Sequence, residues 1–128
     1  MERKRSILIV DDELDMSQMT KMLLEKTGLY AVRVCNRGRE AYRMTQELRP
    51  DLVLLDIMMP DADGADIARQ IREDASLKAT QVVFMTSLIS QQETRDHSLI
   101  GGHFFISKPI SGEALLQRVK GFFEIGKK

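Results

Sequence analysis

Five short apolar runs rich in β-branched residues, spaced along the chain and separated by helical patterns, constrain this sequence more than any other feature. The runs are Ile7-Leu8-Ile9-Val10, Tyr30 to Cys35, Leu52-Val53-Leu54-Leu55, Val82 to Met85 and Phe104-Phe105-Ile106. Between them, apolar residues recur at helical spacing: Met16, Met19, Met22 and Leu23; then Ala41, Tyr42, Thr45 and Leu48; then Ile67, Ala68 and Ile71. A weaker helix is predicted over Gln91–Ile100, polar until Leu99 and Ile100. The last helix carries Leu115, Leu116, Val119, Phe122 and Phe123 as one stripe. Gly28 and Pro50 supply stop signals after the first two helices, and Pro60 and Gly64 punctuate a loop before the third. Leu52 to Leu55 is apolar on both faces, as a central parallel strand covered by helices on both sides requires. Arg33, opposite Val32 and Val34, marks the second run as a sheet edge. Strands alternating with helices give an α/β fold: a three-layer (βα)5 sandwich around a parallel five-stranded sheet with right-handed crossovers.

The 128 residues make one domain, 1–128, and 43% hydrophobic content is enough for a buried core. Nineteen basic residues balance nineteen acidic ones, so no electrostatic case for nucleic acid arises. Cys35 is the only cysteine and no apolar run approaches the ~20 residues of a membrane span, which predicts a cytoplasmic protein. The chain stops soon after the last helix, as expected of a stand-alone regulator or an N-terminal module.

The polar residues that matter fall at one kind of place. Asp11 and Asp12 end the first strand, Asp56 the third and Thr86 the fourth, and Lys108 follows the fifth. In open parallel sheets the carboxyl ends of the strands form the ligand crevice, so four strands deliver these side chains to one edge. Three close carboxylates repel unless a proton or cation sits among them. A hard divalent ion with oxygen ligands resolves that repulsion, and Mg²⁺ suits a few carboxylates plus a phosphate oxygen. A carboxylate also serves as nucleophile in forming an aspartyl phosphate, with a lysine and a hydroxyl to stabilise the transferred group. As mere helix N-terminal acids, Asp11, Asp12 and Glu13 would need no partner; Asp56 and Lys108 argue against that reading. His103 lacks a second histidine at ligand spacing and reads as rim, and Cys35 reads as a small packed residue.

From about Lys4 to Glu124 the sequence resembles a two-component response-regulator receiver domain. The resemblance rests on Ile9-Val10-Asp11-Asp12-Glu13, Leu54-Leu55-Asp56-Ile57-Met58-Met59-Pro60 with Gly64, Phe84-Met85-Thr86-Ser87, and Phe105-Ile106-Ser107-Lys108-Pro109. It implies a flavodoxin-like fold with strand order 2-1-3-4-5, the order of a chemotaxis member of that family. It further implies Asp56 as phosphoacceptor and Mg²⁺ held by Asp11, Asp12, Asp56 and the backbone carbonyl of Met58. Thr86 and Lys108 would stabilise the phosphoryl group, Phe105 would be a switch aromatic turning inward, and Lys108-Pro109 would carry a cis peptide. The donor would be a histidine kinase or histidine phosphotransfer protein. The response would be reshaping of the face made by the predicted fourth helix, the fifth strand and the last helix, for an effector, an output domain or a phosphorylation-dependent homodimer.

Met58 and Leu88 are apolar where this family more often has polar residues, and they should flank the route of water to the acyl phosphate; slow hydrolysis is the expectation. Gly101-Gly102-His103 also departs from the family pattern. Three other functions compete. A Mg²⁺-dependent phosphatase of the haloacid-dehalogenase-like type would place Asp-x-Asp after its first strand, and Asp11-Asp12 has the wrong spacing. A flavodoxin-like cofactor carrier would need a Ser/Thr/Gly-rich phosphate loop there. A pseudo-receiver would be expected to lose an acid or Lys108.

Overall fold

The computed structural model describes residues 3–86, 99–100, 103–108 and 111–125. Its strands are β1 (Arg5–Val10), β2 (Tyr30–Cys35), β3 (Leu52–Asp56), β4 (Met58–Met59), β5 (Ala62–Asp63), β6 (Gln81–Thr86), β7 (Leu99–Ile100) and β8 (His103–Ser107). The helices are α1 (Leu14–Lys26), α2 (Gly38–Leu48), α3 (Gly64–Glu73) and, after the last strand, α4 (Gly112–Ile125).

The five long strands pair in the order β2-β1-β3-β6-β8, all parallel, which is the 2-1-3-4-5 arrangement expected of this sequence. β2 lies at the edge and Arg33 is exposed there, as its charge predicted. β1 and β3 sit at the centre, and Leu8, Leu52, Val53 and Leu55 have no exposed surface. Alternate residues feed two cores. One side of the sheet carries Ile7, Ile9, Leu52, Leu54, Val83 and Ile106 under α1 and α4. The other carries Leu8, Val10, Val53, Leu55, Phe84 and Phe105 under α2 and α3.

Two expectations need correcting. Leu99 and Ile100, read as the end of a helix, form a sixth strand antiparallel to β8, with Leu99 opposite Phe104 and Ile100 opposite His103. Pairing with β8 satisfies their backbone groups at the edge of the sheet that β8 would otherwise leave unpaired. The second concerns α1. The helix spans the predicted residues, but Met16, Met19 and Met22 are 43%, 66% and 69% exposed, and Ser17 and Leu24 are buried in their place. Residues 87–98, which hold Leu88 and most of the predicted fourth helix, lie outside the described residues, as does Pro109.

Local chemistry sets the element ends. Asp63 caps α3, its Oδ1 accepting from the Ala65 amide at 2.9 Å. α2 ends on Arg49 in the left-handed region at φ 45°, with Pro50 next to block any continuation. The last helix packs as predicted: Leu115, Val119, Phe122 and Phe123 are buried, and the Phe123 ring stacks on Tyr30 at 5.5 Å.

Candidate functional site at the carboxyl edge of the sheet

β1 and β3 are paired in register, Val10 beside Leu55, so their next residues, Asp11 and Asp56, emerge side by side. Asp12 follows on the turn into α1. One carboxylate oxygen from each of Asp11, Asp12 and Asp56 lies within 4.8 Å of the others. Lys108, the residue directly after the last paired residue of β8, Ser107 opposite Thr86, reaches back across this edge. Its Nζ donates to Asp11 Oδ2 at 2.9 Å and lies 3.6 Å from Asp56 Oδ2.

The remaining bonds fix the acids. Asp11 Oδ1 accepts from the Glu13 amide at 2.9 Å, and Asp56 Oδ1 from the Met58 amide at 3.3 Å. The side chains of Asp56 and Lys108 are only 12% and 14% exposed, which governs their protonation. Burial pushes the Asp56 carboxyl above its ordinary value; Lys108 opposes this, and the charges of Asp11 and Asp12 add to it. For Lys108, burial favours the neutral amine, but the Asp11 hydrogen bond and the charges of Asp11 and Asp56 outweigh it and raise the pKa. Three acids and one ammonium leave an excess of negative charge, in an all-oxygen donor set, and this fits a hard divalent cation. Asp11, Asp12 and Asp56 are the groups that would hold it, and bound there it would cancel repulsion that otherwise favours a proton on Asp56.

The loop after Asp56 is held tightly. The Gly64 amide donates to the Ile57 carbonyl at 2.8 Å. A Cβ on Gly64 would collide with the Asp56 carbonyl and stand 2.7 Å from Ile57 Cα, so only glycine lets α3 start this close to the acid. Met58 is 64% exposed beside the site.

Of the remaining predicted residues, Thr86 ends β6 with its backbone paired to Ser107. Phe105 is buried, its ring 5.2 Å from Phe84, and its carbonyl accepts from Arg118 Nη2 on α4 at 2.6 Å. The thiol of Cys35 is buried, forms no disulfide and donates to the Arg37 carbonyl at 3.1 Å, and burial raises its pKa. Asn36 escaped the sequence reading. Its amide donates to the Asp11 carbonyl at 2.7 Å and to Ser17 Oγ at 3.0 Å. The strand-end rule that singled out Asp11 and Asp56 also covers the end of β2, where Asn36 stands.

Residues 7–120 match the family described as the response regulator receiver domain, and the chain belongs to that family. It is therefore a receiver domain of two-component signalling, the class of phosphoacceptor switches. Among curated proteins it is similar to the transcriptional regulatory protein TrcR of Mycobacterium tuberculosis, 36% identical over 115 residues that cover 90% of this chain and 44% of that protein. It is also similar to the polar-differentiation response regulator DivK of Brucella anthropi, 31% identical over 119 residues, 92% of this chain and 95% of DivK. The solved structure of Vibrio cholerae chemotaxis protein CheY4 superposes with a TM-score of 0.78 at 27% identity, covering 93% of this chain and 98% of that one. The chain spans about half the length of several relatives it matches, 44% of TrcR and 46% of ResD of Bacillus subtilis, but nearly all of DivK.

Proposed function

We propose that the chain is a Mg²⁺-dependent phosphorylation switch whose acceptor is Asp56. The observation that carries this is the trio Asp11, Asp12 and Asp56 with Lys108 bonded across it. In the proposed step an Asp56 carboxylate oxygen attacks the phosphorus of a phosphohistidine on a histidine kinase or phosphotransfer protein. The new O–P bond forms as the N–P bond breaks, and the electron pair returns to the imidazole. Asp11, Asp12, Asp56 and the Met58 carbonyl would hold Mg²⁺, which would supply charge neutralisation there. Lys108, whose Nζ lies 3.6 Å from Asp56 Oδ2, would leave Asp11 for a phosphoryl oxygen, and Thr86, which ends the neighbouring strand, would offer a hydroxyl.

The readout we propose runs through Thr86 and Phe105 to the face built on β8 and α4, where an effector, an output domain or a second copy would bind. The Arg118–Phe105 bond links the two elements of that face. The free Cys35 thiol supports work in a reducing cytoplasm. The alternative phosphatase reading gains no support, since the relatives quoted are regulators.

Incubation with acetyl phosphate or a beryllofluoride mimic tests the reading. Wild type should gain one phosphoryl group by intact mass and shift its amide NMR spectrum, both only with Mg²⁺. No change in wild type, or an unchanged response in Asp56→Ala, defeats the assignment. The apolar Met58 and Leu88 predict a long-lived phosphoprotein, and Met58→Asn with Leu88→Glu should shorten its lifetime.

A further inference from the structure

Metal-binding carboxylates need direction as well as proximity. Asp11 has it from two bonds to its own carboxylate, one from the Glu13 amide and one from Lys108. Among the described residues no hydrogen bond reaches the Asp12 carboxylate, so its direction depends on the backbone that carries it.

That backbone is held from β2. The Asp11 amide donates to the Cys35 carbonyl at 3.0 Å, which carries the β1–β2 ladder to the rim. At the next residue the ladder gives way to a side chain. Asn36 Nδ2 donates at 2.7 Å to the Asp11 carbonyl, the oxygen of the peptide joining Asp11 to Asp12. Its second proton goes to Ser17 Oγ at 3.0 Å. Ser17 is 1% exposed, and its own hydroxyl donates to the Leu14 carbonyl at 3.0 Å. A backbone carbonyl only accepts, so the amide nitrogen, and not its oxygen, must face Asp11. Both amide protons are thereby used, and the relay Asn36–Ser17–Leu14 ties the end of β2 to the first turn of α1 on the far side of the Asp11-Asp12-Glu13 loop.

We infer that Asn36 is a positioning residue for the metal site: it clamps the Asp11–Asp12 peptide so that the Asp12 carboxylate stays aimed at the cation. This rests on the Mg²⁺ reading above. Rotation of that peptide swings Asp12, and mutual repulsion among the three acids drives such a swing when no cation is bound. The clamp opposes it in advance, so less binding free energy goes into gathering the ligands. Groups behind metal ligands typically change affinity about 10- to 100-fold when removed.

The test uses Mn²⁺ as an EPR-visible probe on the whole chain, with Mg²⁺ competed against it. Asn36→Ala should bind Mn²⁺ about 10-fold or more weakly. Phosphorylation by acetyl phosphate should then need more Mg²⁺ for half-maximal rate, yet approach the wild-type rate at saturating metal. Asn36→Asp is the sharper variant and stands in if the alanine protein does not fold. It cannot donate, and it adds negative charge near the cation; charge alone would tighten Mn²⁺ binding, whereas loss of the clamp weakens it. Mn²⁺ affinity within about twofold of wild type in Asn36→Ala, or tighter binding in Asn36→Asp, overturns the inference while leaving the Mg²⁺ reading intact. Failure of wild type to bind Mn²⁺, or undiminished binding in Asp12→Asn, overturns both. A fall in thermal stability in EDTA with Mn²⁺ affinity unchanged would mean that Asn36 is only structural.

Discussion

The two sides of the sheet are closed in different ways. On the α2/α3 side, small and branched residues interlock: Ala41 and Thr45 from α2, Ile67, Ala68 and Ile71 from α3, with Leu77 below them, are all buried. Gly38 lets α2 approach the loop after Asp56, where a Cβ would stand 2.7 Å from that of Ala62. Asp61 holds the contact from the other direction, accepting from the Gly38 and Arg39 amides at 3.1 and 3.3 Å and so capping a helix that lacks a cap of its own. On the α1/α4 side, α4 buries Leu115, Val119, Phe122 and Phe123, but α1 buries little beyond Ser17 and Leu24. A groove of about 850 Å³ lies open between the helices, lined by Met16, Met19, Met22, Leu23 and Leu115. An apolar stripe therefore closes a face only if something else has rotated it inward. In α1, attachment at the acidic loop comes first: Ser17 turns toward Asn36, Leu24 follows two turns later on the same side, and the methionines are left at the flank.

Mutations can break this contrast, and the largest effect should come from the closed side. Ile71→Ala, at a site 1% exposed, should lower unfolding free energy by about 2–5 kcal/mol in urea titration. Gly38→Ala should lose about 1–3 kcal/mol by pressing α2 off the loop after Asp56. If it proves neutral, the close approach there is not tight.

Asp74 gives a pH-dependent test on the same side. Its carboxylate accepts from Ser76 Oγ at 2.7 Å and from Tyr42 Oη at 2.7 Å, joining α2 to the turn after α3. With the Ser76 bonds foremost, these lower its pKa from 3.8 to about 2. A depressed carboxylate stabilises the fold above its unfolded value, and that contribution is lost as pH falls through the folded one. Asp74→Asn should therefore melt below wild type at neutral pH, with the gap closing from about pH 4 toward pH 2. A gap independent of pH would show that the hydrogen bonds matter and the charge does not. The smallest effect should be on the open side, where Met19→Gln with Met22→Gln should change stability by no more than about 0.5 kcal/mol. A loss of several times that would mean the methionines cover the core after all.

The five long strands, their parallel sheet and the acid-bearing edge were legible from one-dimensional pattern. Hydrophobic runs of β length record burial on both faces, and a polar residue directly after such a run has to emerge at the strand end. That is why the sequence alone assigns Asp11 and Asp56 to one edge, where the structure brings them together. Asn36 was missed although it obeys the same rule, because an uncharged amide gives no sign of chemistry until its partner is seen. Its partners, Asp11 and Ser17, are 25 and 19 residues away.

By itself, then, the sequence determined the α/β sandwich, its edge strand at Arg33 and the set of residues competent for a carboxylate–metal site. Those are consequences of periodicity and residue type, which act locally along the chain. Tertiary structure alone decided which way α1 faces, that Leu99-Ile100 pairs with β8, that Asp61 caps α2 and that Asn36 grips the Asp11–Asp12 peptide. Each of these depends on a hydrogen bond or a contact between separate elements, whose formation requires the sheet to be assembled first.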